Sequence, residues 1–478
     1  MLREAATTPG RYLFACLTTK LADEQAGRFR VMTSTAAVDV IHSECGKGSA
    51  GGRLAKRRTG SMESDHLVVF ITHETLMTTD LKDFEGWHLR IDECLNATGS
   101  NYLKLSKSAA YYQAAFELSP FEAGWSLVRQ VGNPSSWKDI QRDTIASSIT
   151  DLQSWANRPA DLLLNLSSFT GPEIKKRVSW IAVWKSDQLT AFATVTIAAS
   201  NFLGSITHRI WDCLYSSDIE FRERPLTVRR KAQPAIRVHF FTNSHEGSIS
   251  FWGQSEGRKR LAQIDAWMRI NRVTPGYWSG NRIVRDRFEH NINGRMESPK
   301  LAGLNCLRDE TSCAIFYSSK SVPADGPIMK MFDIRMEDIR ASREDEDVFQ
   351  FVCRGAIRNP DYGGAYDVYL YSQAQAERLT GKLASAGFTD VDCVPVEDAG
   401  MMSVERTSFS NARDAGDDEE AKAIKKREDA KIRKRLSRKK LKGQKAATSS
   451  ATPIMGTGPL ASSPETWPNP VLALRPVS

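Results

Sequence analysis

The sequence predicts an α/β fold built from two parallel-sheet lobes. Short apolar runs such as 67–71 and 87–91 end in polar residues, as strands buried on both faces of a parallel sheet do. Segments with helical spacing follow most of these runs, which is the order of βα units. The alternation occurs before and after a basic stretch at 222–237, and a chain of 478 residues is long enough for several domains with substantial cores.

The composition is that of an ordinary globular protein, with 41% hydrophobic and 26% charged residues. No run approaches the roughly 18–20 apolar residues of a membrane-spanning helix, and the first residues lack the layout of a signal peptide. The eight cysteines stand singly, without a Cys-x-x-Cys pair, so their spacing predicts neither a zinc site nor a disulfide framework. These features favour a reducing, cytoplasmic location without membrane contact.

The first predicted unit is a strand at 12–17, followed by Thr18, Thr19 and a helix. Hydroxyl groups at the end of such a strand can bond phosphate oxygens of nucleic acid, although a threonine in this place can equally cap the helix. A strand at 37–41 comes next, and the glycine-rich basic segment after it predicts a mobile loop. Its Gly-Lys-Gly-Ser stretch at 46–49 lacks the spacing of a phosphate loop, so we reject it as a nucleotide site.

The strand predicted at 87–91 ends in Asp92 and Glu93. A first carboxylate in this position can hold Mg²⁺, directly or through water. A second can orient or deprotonate a water that attacks a phosphate. The same dipeptide also occurs as a helix cap or a solvated turn. The strand at 67–71 delivers Thr72 and His73 to the same edge of the sheet.

Mixed, largely helical patterns at 101–176 predict a helical insert, in which the aromatic residues pack in a core or, alternatively, stack on bases. Strand patterns return before a domain boundary that we place near residue 225. They lie at 178–184 and 189–198, and the second leads into Ala199 and Ser200.

A second array of alternating strands and helices follows the boundary. Its first strand ends in Thr242 and Asn243. The predicted strands lie at 236–241, 277–278, 313–317 and 366–371, and the predicted helices at 258–269, 342–358 and 374–386.

The helix predicted at 342–358 places Gln350, Arg354 and Arg358 on one stripe. Two guanidinium groups presented together can bracket a triphosphate and stabilise the charge that develops in phosphoryl transfer. The alternative is a surface stripe that pairs with the acidic residues one or two turns earlier, Glu344, Asp345 and Glu346.

Beyond about residue 400, acidic, basic and Ser/Pro-rich segments succeed one another, which is typical of a disordered tail. The net charge of +8 is concentrated in the basic part of this tail, at 425–445. Such a segment favours binding to a polyanion, with a solvated charged tail as the alternative.

The order of these motifs resembles that of superfamily-two helicases, and more narrowly the DEAD/DEAH-like helicases of phages and plasmids that are related to viral replication-origin helicases. The resemblance covers residues 9–396 in outline. It implies two RecA-like lobes, at 1–225 and 226–400, with a disordered basic tail at 401–478. It also implies ATP-driven movement along, or separation of, nucleic-acid strands, with DNA favoured over RNA and with ATP and Mg²⁺ as cofactors.

The resemblance implies a role for each motif. Catalytic roles fall on Asp92, Glu93, Gln350, Arg354 and Arg358, which match the Walker B box and the arginine-finger helix. Contacts to ATP or Mg²⁺ fall on Asp92, Gly303, Asn305, Arg354 and Arg358, with Asp92 as the Mg²⁺ ligand. Contacts to the nucleic acid fall on Thr18, Thr19, Thr72, His73, Thr242 and Asn243. The motif that couples hydrolysis to unwinding matches Ala198, Ala199 and Ser200.

The sequence departs from the family in its phosphate loop, because no stretch of the chain carries G-x-x-x-x-G-K-[ST]. We therefore expect the first lobe to lack its initial βα unit and ATP hydrolysis to be impaired. Three explanations remain open: the reading frame starts inside a longer coding region, the protein is a remnant, or a partner chain supplies the loop. The alternatives to a helicase are a non-catalytic nucleic-acid-binding protein and an inactive remnant.

Overall fold

The computed structural model describes residues 1–46, 48–59, 65–103, 116–121, 124–131, 149–165, 178–224, 230–289, 291–300 and 306–403. The chain divides into two compact units, Met1–Glu405 and Arg406–Ser478. The second unit lies outside the described residues, and so does nearly all of the predicted tail. The boundary predicted near residue 225 also falls in an undescribed stretch.

The first 92 residues form βα units. Their helices are α1 (Leu2–Thr7), α2 (Thr19–Met32), α3 (Ala50–Thr59) and α4 (His73–Thr78). Their strands are β1 (Arg11–Cys16), β2 (Ala37–Ile41), β3 (Leu67–Thr72) and β4 (His88–Asp92). These strands agree with the predicted ones to within a residue at each end, as expected of short strands in a parallel sheet, although β2 is half-buried over most of its length.

The segment after β2 corrects a prediction, because the glycine-rich basic stretch contains helix α3 rather than a continuous mobile loop. Two arginines of α3 tie it to the preceding strand and turn. Arg53 donates to the His42 carbonyl at 2.6 Å, and Arg57 pairs with Asp39 on β2. These contacts hold a helix that its glycines alone would disfavour.

The insert corrects a second prediction, because its described residues form an antiparallel sheet rather than helices. The strands are β5 (Thr98–Leu103), β6 (Phe116–Pro120), β7 (Trp125–Gln130), β8 (Ala160–Asn165) and β9 (Val178–Trp184), in the order β5-β9-β8-β7-β6. The only helix within these described residues is α5 (Thr150–Ala156). Among the aromatics of the insert, Tyr111, Tyr112 and Trp137 lie outside the described residues.

Strand β9 was predicted at 178–184, but its pairing within an antiparallel sheet was not. Its Ile181 and Val183 belong to the core of the first sheet, whereas Trp180 and Ala182 belong to a separate core within the insert. A strand buried on both faces has no polar alternation. Its antiparallel partner β5 is also distant in sequence, so local spacing contains no sign of the pairing.

Strand β10 (Thr194–Ala198) and helix α6 (Ile206–Tyr215) return the chain to the first sheet. The predicted strand at 189–198 is shorter than expected, because Ser186–Leu189 forms a 3₁₀ turn. All strands of this sheet run parallel in the order β10-β4-β1-β3-β2, so β10 is an edge within the described residues. Helices α1 and α2 share a core with one face of the sheet, and the opposite face belongs to the core that includes the insert and α6.

The second sheet is also parallel, in the order β13-β12-β14-β15-β11-β16, and a core lies on each of its faces. Its strands are β11 (Ala235–Thr242), β12 (Tyr277–Gly280), β13 (Arg295–Met296), β14 (Ser312–Phe316), β15 (Ala365–Ser372) and β16 (Val391–Pro395). Its helices are α7 (Ile249–Trp252), α8 (Ser255–Ile270), α9 (Arg282–Phe288), α10 (Gly326–Met331), α11 (Met336–Arg340), α12 (Glu346–Val352) and α13 (Gln373–Ser385).

The predicted fold class, α/β with two parallel-sheet lobes, is confirmed. The segment at 326–340 joins them, because Ile328, Ile334 and Ile339 pack into the core of the first sheet although they follow β14 of the second. Arg209 on α6 and Asp338 on α11 form an ion pair at 3.0 Å at the same contact. Among the described residues, no helix has both the length and the apolar character needed to cross a membrane.

Candidate functional site

Asp92 and Glu93 lie at the carboxyl end of β4, which is flanked by β1 and β10. Glu93 has a φ of 73°, in the left-handed region that side chains other than glycine seldom adopt. Its N–H donates to the carbonyl of Ala198, the last residue of β10, at 2.8 Å. Backbone strain of this kind gathers where a side chain must point in a set direction, and here it directs the Glu93 carboxylate toward the second lobe.

The Glu93 carboxylate meets two side chains of the second lobe. Arg354 Nη2 lies 3.3 Å from Oε1, across 261 residues of sequence, and Gln350 Nε2 donates to Oε2 at 3.1 Å. Arg354 is buried, with a side chain 9% exposed, and Glu93 is 21% exposed. We call Asp92, Glu93, Gln350 and Arg354 the interlobe site.

Burial raises the pKa of both carboxyl groups in the interlobe site. For Asp92 the largest cause is desolvation, which Arg354, a hydrogen bond from Gln25 and Arg358 oppose. For Glu93 desolvation is again the largest cause, and Arg354 opposes it. A carboxylate with a raised pKa and a position near a phosphate is suited to accept a proton from an attacking water.

Arg354 and Arg358 reach this region in a different way from the predicted helical stripe. Helix α12 ends at Val352, so Arg354 lies in the turn that follows and Arg358 in the 3₁₀ turn Ala356–Arg358. The helix ends because buried tyrosine hydroxyls take its last carbonyls: Tyr277 donates to Phe351 O at 2.9 Å, and Tyr366 donates to Val352 O at 3.0 Å. The prediction of one continuous helix at 342–358 was wrong.

Arg358 is exposed, and its charge lowers the pKa of Asp92. The alternative was that Gln350, Arg354 and Arg358 pair with the acidic residues one or two turns earlier. Among these acidic residues, Glu346 forms such a bond, with Gln350. Glu346 accepts from Gln350 at 3.0 Å, whereas Glu344 and Asp345 pair with Arg378 at 3.3 and 2.8 Å.

The predicted coupling residues lie beside the interlobe site. Ala198 ends β10 and Ala199 follows it. The Ser200 hydroxyl bonds the Glu346 carboxylate and accepts from Gln350 Nε2 at 3.4 Å. The end of β10 thus contacts both Glu93, through its main chain, and α12, through a side chain.

The predicted nucleic-acid contacts divide into buried and accessible groups. Thr18 and Thr72 are the caps of α2 and α4, where their side chains accept from Leu21 N–H and Thr75 N–H. Thr18 nevertheless remains exposed and Thr19 half-buried, and Asn243 is exposed.

Thr72, His73 and Thr242 are buried, with exposures of 8%, 4% and 0%. His73 Nε2 donates to the Asp92 carbonyl at 3.0 Å, and the Thr242 hydroxyl lies 3.2 Å from the Met402 carbonyl. In this structure these three side chains are therefore not accessible at the surface, whereas Thr18, Thr19 and Asn243 are. Gly303 and Asn305, predicted to contact the cofactor, lie outside the described residues.

Gln25 is a site residue that the sequence analysis missed. Its Nε2 donates to Asp92 Oδ2 at 3.4 Å, and its Oε1 is buried without a partner among the described residues. Both residues line a cavity of about 320 Å³ together with Phe14 and Cys16. The sequence could have indicated Gln25 through its position, because it lies seven residues after Thr18 and therefore on the same side of helix α2.

The donor set of the interlobe site fits part of a magnesium nucleotide. Asp92 offers a carboxylate on the cavity wall, and Mg²⁺ needs only one or two such ligands because it keeps most of its waters. Arg354 and Arg358 offer planar donors for phosphate oxygens. The sequence contains no G-x-x-x-x-G-K-[ST] stretch, the motif whose backbone amides usually cradle the phosphates.

No protein-family model matches the chain, and no curated protein matches it. Among solved structures, XPD in its apo form is similar over 83% of this chain and 99% of its own length, at 10% identity and a TM-score of 0.39. XPD helicase is similar over 83% of this chain and 94% of its own, at 10% identity and a TM-score of 0.42. A DEAD box protein from the hyperthermophile Methanococcus jannaschii is similar over 82% and 81%, at 8% identity and a TM-score of 0.24. These TM-scores are all below 0.5, so the similarity carries no argument about function.

Proposed function

We propose that the chain is a helicase-type core that binds nucleic acid and a magnesium nucleotide between its two lobes, with ATP hydrolysis impaired. The observation that carries the proposal is the contact of Glu93 with Arg354 and Gln350 at 3.3 and 3.1 Å. It brings a strand-end carboxylate pair and an arginine of the second lobe to one place, as hydrolysis of a bridging nucleotide requires.

Each residue of the interlobe site has a distinct task in this proposal. Asp92 would hold the magnesium ion, which would neutralise charge on the phosphates when bound. Glu93 positions the attacking water and takes its proton. Arg354 and Arg358 stabilise the negative charge that develops on the transferred phosphoryl group. Gln350 holds the Glu93 carboxylate in the direction that its left-handed backbone sets.

Two observations support impaired hydrolysis. The sequence lacks the phosphate-loop motif throughout, and loop amides with their lysine normally provide much of the binding to the β- and γ-phosphates. Among the described residues, no further strand pairs with the outer edge of β10, where Thr194, Val195 and Thr196 are all exposed.

The test measures binding of a fluorescent ATP analogue, and ATP hydrolysis, for the full chain with and without Mg²⁺ and a single-stranded DNA. We expect magnesium-dependent nucleotide binding and little or no turnover. Arg354→Gln should weaken nucleotide binding about tenfold or more, since charge-assisted hydrogen bonds contribute about 1.5–3 kcal/mol. Arg282→Gln is the matched control, because Arg282 is an arginine of the same lobe whose side chain is 86% exposed.

Two results would contradict the proposal in different ways. Robust ATP turnover that Glu93→Gln abolishes would show that the phosphates are held by other means and that hydrolysis is intact. Absence of nucleotide binding at millimolar concentration, with DNA binding preserved, would favour the non-catalytic nucleic-acid-binding protein. That second function is supported by the absence of the phosphate-loop motif from the sequence, since the residues proposed to contact nucleic acid do not depend on it.

A further inference from the structure

Three potential metal ligands converge near the carboxyl end of β2, an edge strand of the first sheet among the described residues. Asp23 lies on α2, and His42 and Cys45 lie in the turn after β2. His42 Nε2 is 3.2 Å from Asp23 Oδ1 and 3.0 Å from Cys45 Sγ. The three ligand atoms all lie within 4.8 Å of one another.

These separations are close to those within a tetrahedral zinc site. Zinc bonds of about 2.0–2.1 Å to nitrogen, 2.0–2.2 Å to oxygen and 2.3 Å to sulfur place neighbouring ligand atoms about 3.3–3.6 Å apart. The oxygen–nitrogen distance of 3.2 Å is nearly that value, and the sulfur–nitrogen distance of 3.0 Å needs to open by about half an ångström. Cys45 can make that movement because it is exposed on a turn.

The surroundings already fix two of the three ligands. His42 is 3% exposed, and Arg53 Nη2 donates to its carbonyl at 2.6 Å, which anchors the residue to α3. Asp23 is held by helix α2, one turn past the Thr18 cap. The Asp23 side chain remains 58% exposed, so a metal ion and a fourth ligand from solvent have access.

The ligand set selects among metal ions. Thiolate and imidazole favour zinc over Mg²⁺ and Ca²⁺, which take oxygen ligands. One thiolate and one carboxylate balance the charge of a divalent ion. The solvent-facing fourth position matches the composition of zinc sites with three protein ligands.

Metal binding requires one change in the histidine ring. Nδ1 now accepts from the Glu44 N–H at 3.3 Å, which places the ring proton on Nε2 between Asp23 and Cys45. Zinc replaces that proton, the ring proton moves to Nδ1, and the Glu44 peptide must turn away. The turn at 43–46 is therefore the part of the molecule that should change on loading.

We propose that Asp23, His42 and Cys45 form a zinc site that ties helix α2 to the turn between β2 and the basic helix α3. Cysteine spacing could not reveal it, because the third ligand lies on another element. The proposal does not depend on nucleotide binding at the interlobe site.

The test uses the full chain after removal of metal with a chelator, followed by titration with Zn²⁺ in competition with a chromophoric chelator, and separately with Co²⁺. We expect one zinc per chain from this site, and a cobalt spectrum with thiolate-to-metal charge transfer. Cys45→Ser and Asp23→Asn should each weaken zinc binding by at least about 10- to 100-fold, the loss that even supporting residues of metal sites cause. Both side chains are exposed, so both variants should keep the circular dichroism of the parent.

Cys213→Ser is the matched control, because Cys213 is another exposed free cysteine. It should leave zinc affinity and the cobalt spectrum unchanged. The proposal fails if cobalt gives no thiolate band, if Cys45→Ser binds zinc as tightly as the parent, or if Cys213→Ser loses as much affinity as Cys45→Ser. Competition by millimolar Mg²⁺ would also overturn it, because the thiolate and imidazole would then not determine the affinity.

Discussion

A single side chain of the first lobe, His73 at the start of α4, holds the main chain of Asp92 at the end of β4. His73 donates to the Asp92 carbonyl at 3.0 Å, and its ring is 4% exposed. Burial lowers the pKa of His73 to about 4. His73 therefore stays neutral at physiological pH, and in this structure its ring bonds the main chain of Asp92.

This buried histidine predicts a pH dependence of stability. The unfolded chain protonates His73 near its ordinary pKa of about 6.5, whereas the folded chain does so only near about 4. Stability should therefore fall as the pH is lowered from about 6.5 toward 4, by about 2 kcal/mol between pH 7.5 and 5 from this group. Urea unfolding at the two pH values measures the loss.

His73→Gln keeps an N–H donor but does not titrate, so it should remove most of that difference. Thr18→Ala is the control, because loss of a helix cap should cost about 1 kcal/mol at both pH values. An unchanged pH dependence in His73→Gln would show that the imidazole titrates normally and is not buried as described.

At the scale of elements, the end of α12 determines where Arg354 points. Gly355 follows Arg354 directly, and a Cβ at this position would lie 2.3 Å from the Tyr366 hydroxyl and 2.9 Å from the Glu310 carbonyl. The Tyr366 hydroxyl donates to Val352 O at 3.0 Å, and its oxygen lies 2.8 Å from the Tyr277 hydroxyl. The turn that presents Arg354 is therefore packed without space for a side chain.

Gly355→Ala should destabilise the protein by about 1–3 kcal/mol, the usual cost of overpacking a buried position. It should also weaken nucleotide binding, because the turn carrying Arg354 must shift. Gly381→Ala is the matched control: no atom lies within 4 Å of its added Cβ in helix α13, and the change should stabilise by about 0.5–1 kcal/mol. Denaturant unfolding of both variants checks the sign, and destabilisation by both would argue against the packing at Gly355.

The elements also show which patterns a single sequence can reveal. Strand β9 agrees with its predicted bounds, because a central strand buried on both faces reads as an apolar run. Strand β2 agrees as well, although it is a half-buried edge strand among the described residues. The insert and the helix at 342–358 do not, because long-range strand pairing and tyrosine hydroxyls from β12 and β15 decide them. Neither influence is visible in local spacing.

At the scale of the whole molecule, the convergence of Glu93 and Arg354 was predictable although 261 residues separate them. Ligand-binding residues commonly lie at the carboxyl ends of parallel strands, which pointed to Glu93. The order of the motifs along the chain pointed to Arg354. The roles of Gln25 and His73 were not predictable. They depend on which way a side chain faces and how deeply it is buried, and only packed coordinates give either.

The charge of the whole chain predicts how it binds nucleic acid. If the basic segment at 421–445 contacts DNA, the logarithm of affinity should fall with the logarithm of salt by about 0.9 for each duplex phosphate that it neutralises. Deleting 421–445 should flatten that slope, as fluorescence anisotropy across a salt series would show. Deleting 446–478 is the control, since that segment carries only one basic and one acidic residue. An equal slope in both deletions would exclude a role for the basic segment.

The main-chain bond from Glu93 N–H to the Ala198 carbonyl, at 2.8 Å, has a mechanical consequence. The Ser200 hydroxyl bonds Glu346 of the second lobe, and two peptide units connect Ser200 to Ala198, whose carbonyl accepts the Glu93 N–H. A small displacement of the second lobe would therefore change the orientation of the Glu93 carboxylate through this connection. That coupling would not require a bound nucleotide.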